Sequence, residues 1–469
     1  MSEKQEDFRW SSMLRWDGTV GRGTYAFVGV FGFAVKHNLD RILASGVFGR
    51  PWGIFSYWIP LDRAIRITTL EPAEARFLLT MVAISLPFIY VGLAMTMRRL
   101  RSAGLPPGLL VLFFVPFVNL LFFVTLALVP ERSAAPPQRN TSALHHLLDR
   151  MIPDHALGAA TLSALVTGTL GTGLAVLSVV YLRDFGWSLF VALPFVMGMV
   201  AAILHGHHRP ASAGGSIGVG VLSVTVLGVL LLALAVEGLV CVLMAAPIGL
   251  PMAGLGGFVG YLVQRRTELR PATPGLLLAL LAAMPLLMGA EAADPQAPPL
   301  YEVVTVVEVA APPDAVWQRV ISFTPLPAPR DWMFRAGIAY PMRAEMHGTG
   351  VGAERHCVFS TGAFVEPIEV WDAPRRLKFS VTSNPAPMQE WTPYGNIPAS
   401  HLEGFLVSEG GQFHLVPLEG GRTRVEATTW YHHGLWPAAY WRLWSDAIIH
   451  RIHLRVLEHV KQRSEAGLP

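Results

Sequence analysis

Long uncharged apolar runs fill the first 290 residues, and shorter alternating stretches follow them. No Asp, Glu, Lys or Arg occurs in 77–97, 103–130, 156–182, 185–204, 211–236, 238–263 or 271–290. A bilayer core about 30 Å thick needs about 20 apolar residues as helix, at about 1.5 Å per residue. Each run is about that long. In lipid the backbone must satisfy its own polar groups, so these runs predict membrane-crossing helices. Pro247 and Pro251 interrupt one run, so 247–263 is read as a broken or re-entrant segment that does not cross.

From about residue 300 the period changes. Tyr301 to Val309 predicts a Val-rich strand. Pro312, Pro313 and Asp314 then open a helix that buries Val316, Trp317, Val320 and Ile321. A loop rich in Pro and aromatics follows. Strands are expected near 351–360, 363–371, 376–382, 411–418 and 422–431, and a closing helix from about Pro437 to Gln462. The fold class is thus a multi-span α-helical membrane region followed by an α+β helix-grip soluble domain. The Pro-rich stretch ADPQAPP near residue 295 separates the two.

Composition agrees. The chain of 469 residues is 52% hydrophobic and 15% charged, too apolar for an ordinary soluble protein. Its net charge of +3 forms no dense basic stripe, and no Gly-rich phosphate loop is present, so nucleic acid is not an expected partner. Cys241 lies in an apolar run and Cys357 in the soluble part, so no disulfide framework is expected. The polar start MSEKQEDFRW is not read as a signal peptide. The arginines at 98–101 and 265–270 favour the cytoplasm. With 247–263 not crossing, four of five segments cross between them, and the last span carries the soluble domain outward. Lys36 and Asp40, four apart, are expected to pair at a helix end and snorkel to headgroups. Trp52, Tyr57 and Trp58 suit an interfacial belt.

Candidate chemistry is sparse. His145 with His146, and His205, His207 and His208, are read as polar connections, with no metal site and no cofactor expected. Glu237 is placed in a turn between spans, where it needs no partner. In the soluble part, a hairpin turn at Thr361-Gly362 sets Phe359 opposite Phe364, Cys357 opposite Glu366 and Arg355 opposite Ile368, all facing inward. Arg355 and Glu366, diagonal to each other, should pair, because a lone buried charge is costly. Tyr431 is a second polar tip. Trp441, Trp444, Ile448 and Ile452 form the apolar face of the last helix. The expected ligand-binding set is therefore Arg355, Cys357, Phe359, Phe364, Glu366, Tyr431, Trp441, Trp444 and Ile448. Asp446, His450 and His453 fall on an outer face, as a surface for a partner. Loop 384–404 is a lid candidate through Met388, Trp391 and Tyr394, and His401 and Glu403 in it are catalytic candidates.

GRGTY at 21–25, the basic run at 98–104 and the apolar run with Pro116 to Asn119 resemble the bacterial inner-membrane domain-of-unknown-function family 805. That resemblance covers roughly residues 10–132. It implies an inner-membrane location; the family has no established activity, so it implies no mechanism. Ser102, Ala103 and Gly104 stand where the family has Asp and Gly. VVTVVEVAAPPDAVWQRV at 303–320, GTGVGAERHCVFSTG at 348–362, GGRTRVEATTWY at 420–431 and the closing helix resemble the SRPBCC superfamily of START-like and polyketide cyclase-like proteins. This implies a cavity between sheet and last helix that takes lipids or aromatic metabolites. The expected domains are 1–132, 133–295 (further spans) and 296–469 (helix-grip). The expected function is a membrane-tethered module for a hydrophobic small molecule, with the bilayer as its other partner. The alternatives are a cyclase, dehydratase or hydrolase using Arg355, Glu366 and Tyr431, or a regulatory membrane protein that docks a partner.

Overall fold

The computed structural model describes residues 14–57, 72–105, 107–114, 118–128, 131, 143–153, 155–208, 211–265, 273–392, 397 and 399–466. Trp58, Pro116, Pro136, Pro137, Arg266, Arg270 and Tyr394 lie outside them. The chain divides into two compact units, Met1–Leu230 with Ala245–Gln296, and Leu231–Met244 with Ala297–Pro469.

The helices of the first part of the chain are α1 (Arg22–Gly46), α2 (Pro72–Ser102), α3 (Val118–Leu128), α4 (Ala143–Met151), α5 (Ala156–Val176), α6 (Leu193–His205), α7 (Ala213–Ala233), α8 (Leu239–Gln264) and α9 (Thr273–Ala293). The end of α7, the turn after it and the start of α8 belong to the second unit. Among the described residues six helical stretches are long and apolar enough to cross a membrane: Pro72–Ser102, Ala156–Leu182, Ser188–His205, Ala213–Ala233, Leu239–Gln264 and Gly275–Ala293.

Two expected segments come out differently. The run 103–130 is not one long helix. It holds a short 3-10 stretch, Pro107–Phe114, and the 11-residue α3, which is only about 16 Å long. Prolines remove helix-bonding N–H groups here. Conversely, α8 runs unbroken through Pro247 and Pro251. Small residues pack it tightly on α6: a Cβ on Gly256 would fall 1.9 Å from the Phe195 carbonyl oxygen, and one on Gly198 2.0 Å from that of Ala253. Neighbouring helices that close can hold a proline-containing span straight enough to continue.

Lys36 and Asp40 pair, but they do not snorkel. They are 7% and 0% exposed, and the Lys36 ammonium lies 5.1 Å from the Tyr57 ring centroid and 6.0 Å from that of Phe88. Arg98 and Arg99 are likewise buried. Arg99 Nε donates to the Leu126 carbonyl at 2.9 Å, in the last turn of α3, where a cation suits the helix dipole. Glu291 on α9 accepts from the backbone N–H groups of Trp187 and Ser188 at 2.8 and 2.9 Å, satisfying the start of the Ser188–His205 helix.

The second unit holds β1 (Tyr301–Val309), α10 (Pro313–Ile321), α11 (Trp332–Arg335), β2 (Pro341–His347), β3 (Glu354–Phe359), β4 (Gly362–Asp372), β5 (Arg376–Ser380), β6 (Leu406–Leu418), β7 (Arg422–His433) and α12 (Ala438–Glu465). The strands form one antiparallel sheet in the order β1-β7-β6-β5-β4-β3-β2. α12 packs on β1, on β7 and on β2. Because β1 and β2 are opposite edges, the sheet must curl around the helix as a half-barrel, the helix-grip arrangement. The core between them includes Val309, Trp317, Val320, Leu377, Leu415, Val425, Leu457 and Val460. β2 falls where a loop was expected. It is an edge strand whose outer positions carry Arg343 and Glu345, as edges often do.

Candidate functional site

The β3–β4 hairpin sets the polar centre of the half-barrel. Its register pairs Arg355 with Glu366, Cys357 with Phe364 and Phe359 with Gly362. The two-residue turn thus falls at Ser360-Thr361, one residue earlier than expected, and every cross-strand partner shifts by two. A two-residue shift keeps every side chain on its face, because the strand period is two. Arg355 and Glu366 become directly opposed rather than diagonal, and Arg355 Nη1 donates to Glu366 Oε2. They are 2% and 6% exposed. Arg355 Nε also donates to the Ile321 carbonyl at 3.3 Å, and the Phe323, Phe379 and Phe413 rings surround the guanidinium at 5.6–5.7 Å. Burial alone would lower the Arg355 pKa, but the Glu366 carboxylate raises it, and the guanidinium stays charged. Burial pushes Glu366 up against the pull of Arg355. Removing one partner of such a pair costs about 3–5 kcal/mol.

The expected site residues distribute over several clusters. Arg355, Cys357, Phe359 and Glu366 are buried together with Ile368, and Phe364 packs on them. The Phe359 and Phe364 rings meet edge-on at 4.8 Å. Burial pushes the Cys357 thiol up to about 12, which makes it a poor nucleophile. Tyr431 lies in another cluster with Tyr301, Val303 and Ile449, and its hydroxyl donates to Asp446 Oδ1 at 2.6 Å. Trp441 is buried and Trp444 half-buried. Ile448 joins Met333, Phe334, Ile338 and Met388 in a third cluster. Beside this third cluster opens a groove of about 420 Å³, lined by Phe334, Arg335, Ile338, Tyr340, Ser360 and Gln389 among others.

The row Asp446, His450, His453 does not form an outer docking face. α12 is rotated so that this row meets the sheet. His453 is buried between Thr305 and Thr429, His450 Nδ1 lies 2.8 Å from the Thr305 hydroxyl, and Asp446 accepts from Tyr431 and Arg442. Threonines on β1 and β7 supply the polar partners that a buried imidazole needs. The apolar spacing of Trp441, Trp444 and Ile448 gave no sign of them.

A second polar centre lies in the same unit, and no sequence spacing announced it. Glu237 does sit in the turn between α7 and α8, but it has a partner: its Oε2 is 3.0 Å from His401 Nδ1. His401 Nε2 is 3.0 Å from Cys241 Sγ and 3.3 Å from Glu390 Oε1. Burial opposes charge on His401, yet Cys241, Glu237 and Glu390 outweigh it and push its pKa up to about 12. Glu403, the other candidate in that loop, is exposed. In that loop Met388 is buried and Trp391 is 60% exposed, with its carbonyl accepting from Leu239 N at 3.0 Å. In the first unit, His207 Nε2 lies 2.8 Å from Asp149 Oδ1, and His208 Nε2 2.7 Å from the Ile152 carbonyl. These two histidines fasten an interhelical turn to α4.

No family model and no curated protein matches the chain, so the likeness of residues 10–132 to family 805 gains no support there. Solved structures do align with it. One is a protein from Nitrosospira multiformis, at 18% identity, covering 36% of this chain and 98% of that one, with a TM-score of 0.22. Another is a norcoclaurine synthase point mutant from Thalictrum flavum, at 14% identity, covering 37% and 98%, with a TM-score of 0.25.

Proposed function

We propose that this is a multi-pass membrane protein whose helix-grip unit binds an apolar small molecule with an acidic head. The groove beside α11 carries the reading. Its volume of about 420 Å³ lies within the range of about 300–1,000 Å³ usual for small-molecule sites. Phe334, Ile338 and Tyr340 supply apolar contacts, while the larger part of the exposed lining is polar, with Arg335 and Gln389 exposed. A fatty acid or an isoprenoid acid fits that chemistry. The candidate acid–base set of Arg355, Glu366 and Tyr431 is split between two clusters. That favours binding over turnover, which needs converging groups.

Native mass spectrometry of the detergent-solubilised, delipidated full chain tests this. Fatty acids or isoprenoid acids should add as discrete masses. Ser360→Trp, which puts a bulky side chain into the groove lining, should weaken uptake at least tenfold while the melting curve is unchanged. Equal uptake by this variant and the parent protein would remove the groove as the site. No uptake from a broad panel would remove the function.

A further inference from the structure

We propose that Cys241, Glu390 and His401 form a binding site for a zinc-class divalent metal, with Glu237 orienting the imidazole. The donor atoms of all four residues lie within 4.8 Å of one another. Glu237 and Glu390 are 8% and 2% exposed, and among the described residues the His401 ring is what approaches their carboxylates. Their approach is to one imidazole, His401, from its two sides. Two buried carboxylates face one imidazole, so among the described residues the negative charge exceeds what that ring can balance, and buried carboxylates are costly unless paired or bound to metal. A divalent cation is the counter-ion this arrangement lacks.

The donor chemistry is specific. One thiolate, one imidazole nitrogen and one carboxylate, with a further position open, is a borderline-soft set that suits zinc. Tetrahedral zinc separates its donors by about 3.3–3.6 Å, given bond lengths of about 2.0–2.3 Å. Cys241 Sγ and Glu390 Oε1 are 3.0 and 3.3 Å from His401 Nε2, so a few tenths of an ångström of movement admits the ion. Glu237 stands on the other ring nitrogen, Nδ1, as the outer carboxylate of a metal-bound histidine commonly does. Gly238 is part of the cradle: a Cβ there would fall 1.7 Å from Glu390 Oε2. Binding displaces the thiol proton and the imidazolium proton to solvent.

The test uses the full chain, purified in detergent without chelators. Elemental mass spectrometry should find one zinc per chain. After exchange for cobalt, a thiolate-to-cobalt charge-transfer band should appear. Cys241→Ser should lose that band, and His401→Gln should lose at least tenfold in affinity. Glu237→Gln should keep the band but bind about 10–100-fold more weakly. His207→Ala, at the separate Asp149–His207–His208 group, should change nothing. A parent protein that binds neither metal, a band that survives Cys241→Ser, or loss of metal in His207→Ala instead would each overturn the assignment. Because the parent protein is read first, misfolding of a variant cannot rescue the idea.

Discussion

His453 lies between two threonines, with Nδ1 3.0 Å from the Thr305 hydroxyl and Nε2 2.8 Å from that of Thr429. Burial, with His450 nearby, pulls its pKa down from 6.5 to about 4. Between those two values the unfolded chain holds the proton and the folded chain does not. The stabilisation is therefore complete above pH 6.5 and is lost as pH falls toward 4, by about 3 kcal/mol. Burial acts on His433 in the same direction. We expect the melting temperature of the helix-grip unit to fall over that window, and His453→Gln to flatten the fall while keeping a donor and an acceptor for the threonines. Parallel curves for variant and parent protein between pH 6.5 and 4 would show that His453 does not carry the effect.

At the scale of elements, parity matters more than position. The β3–β4 hairpin sits two residues from its expected register, and its inward set is unchanged, because only an odd shift would turn Arg355 and Glu366 outward. The membrane count behaves alike. Four long helices, Ala156–Leu182, Ser188–His205, Ala213–Ala233 and Leu239–Gln264, stand between the two arginine clusters. Among the described residues the count is still even, with the 11-residue α3 left out and Leu239–Gln264 included. We expect both arginine clusters in the cytoplasm, with Gly275–Ala293 leading the chain to the other side. A phosphatase fused after Gln296 should be active and a green fluorescent protein dark. The reverse pattern would put the helix-grip unit in the cytoplasm. The Glu237–His401 approach fits either side, since two crossings separate the turn at Glu237 from the sheet.

At the scale of the whole molecule, the helix-grip unit does not begin after the last span. Leu231–Met244 belongs to it. Leu239 N donates to the Trp391 carbonyl at 3.0 Å, Tyr440 donates to the Met244 carbonyl, and Val240, Cys241 and Met244 pack on the Met388 and Ile338 cluster. A fragment starting at Ala297 loses all of these contacts. Hydrogen exchange in that fragment should speed up at 332–340 and 388–402 relative to the full chain, with β6 and β7 still protected. Unchanged protection at 388–402 would mean that the 231–244 segment does not support the unit.

The sequence by itself determined the apolar spans, the strand–helix–sheet–helix order, and the inward face that holds Arg355 and Glu366. Each of these is a local period, 3.6 or 2, or a composition shift that a short window carries. The tertiary structure alone decided two things: how α12 is rotated, and what Glu237 faces. Cys241 and His401 are 160 residues apart. Glu237 and Cys241 stand four apart, but the loop that carries Glu390 and His401 is brought to the α7–α8 turn only by packing. A contact between distant residues leaves no periodic trace in either segment.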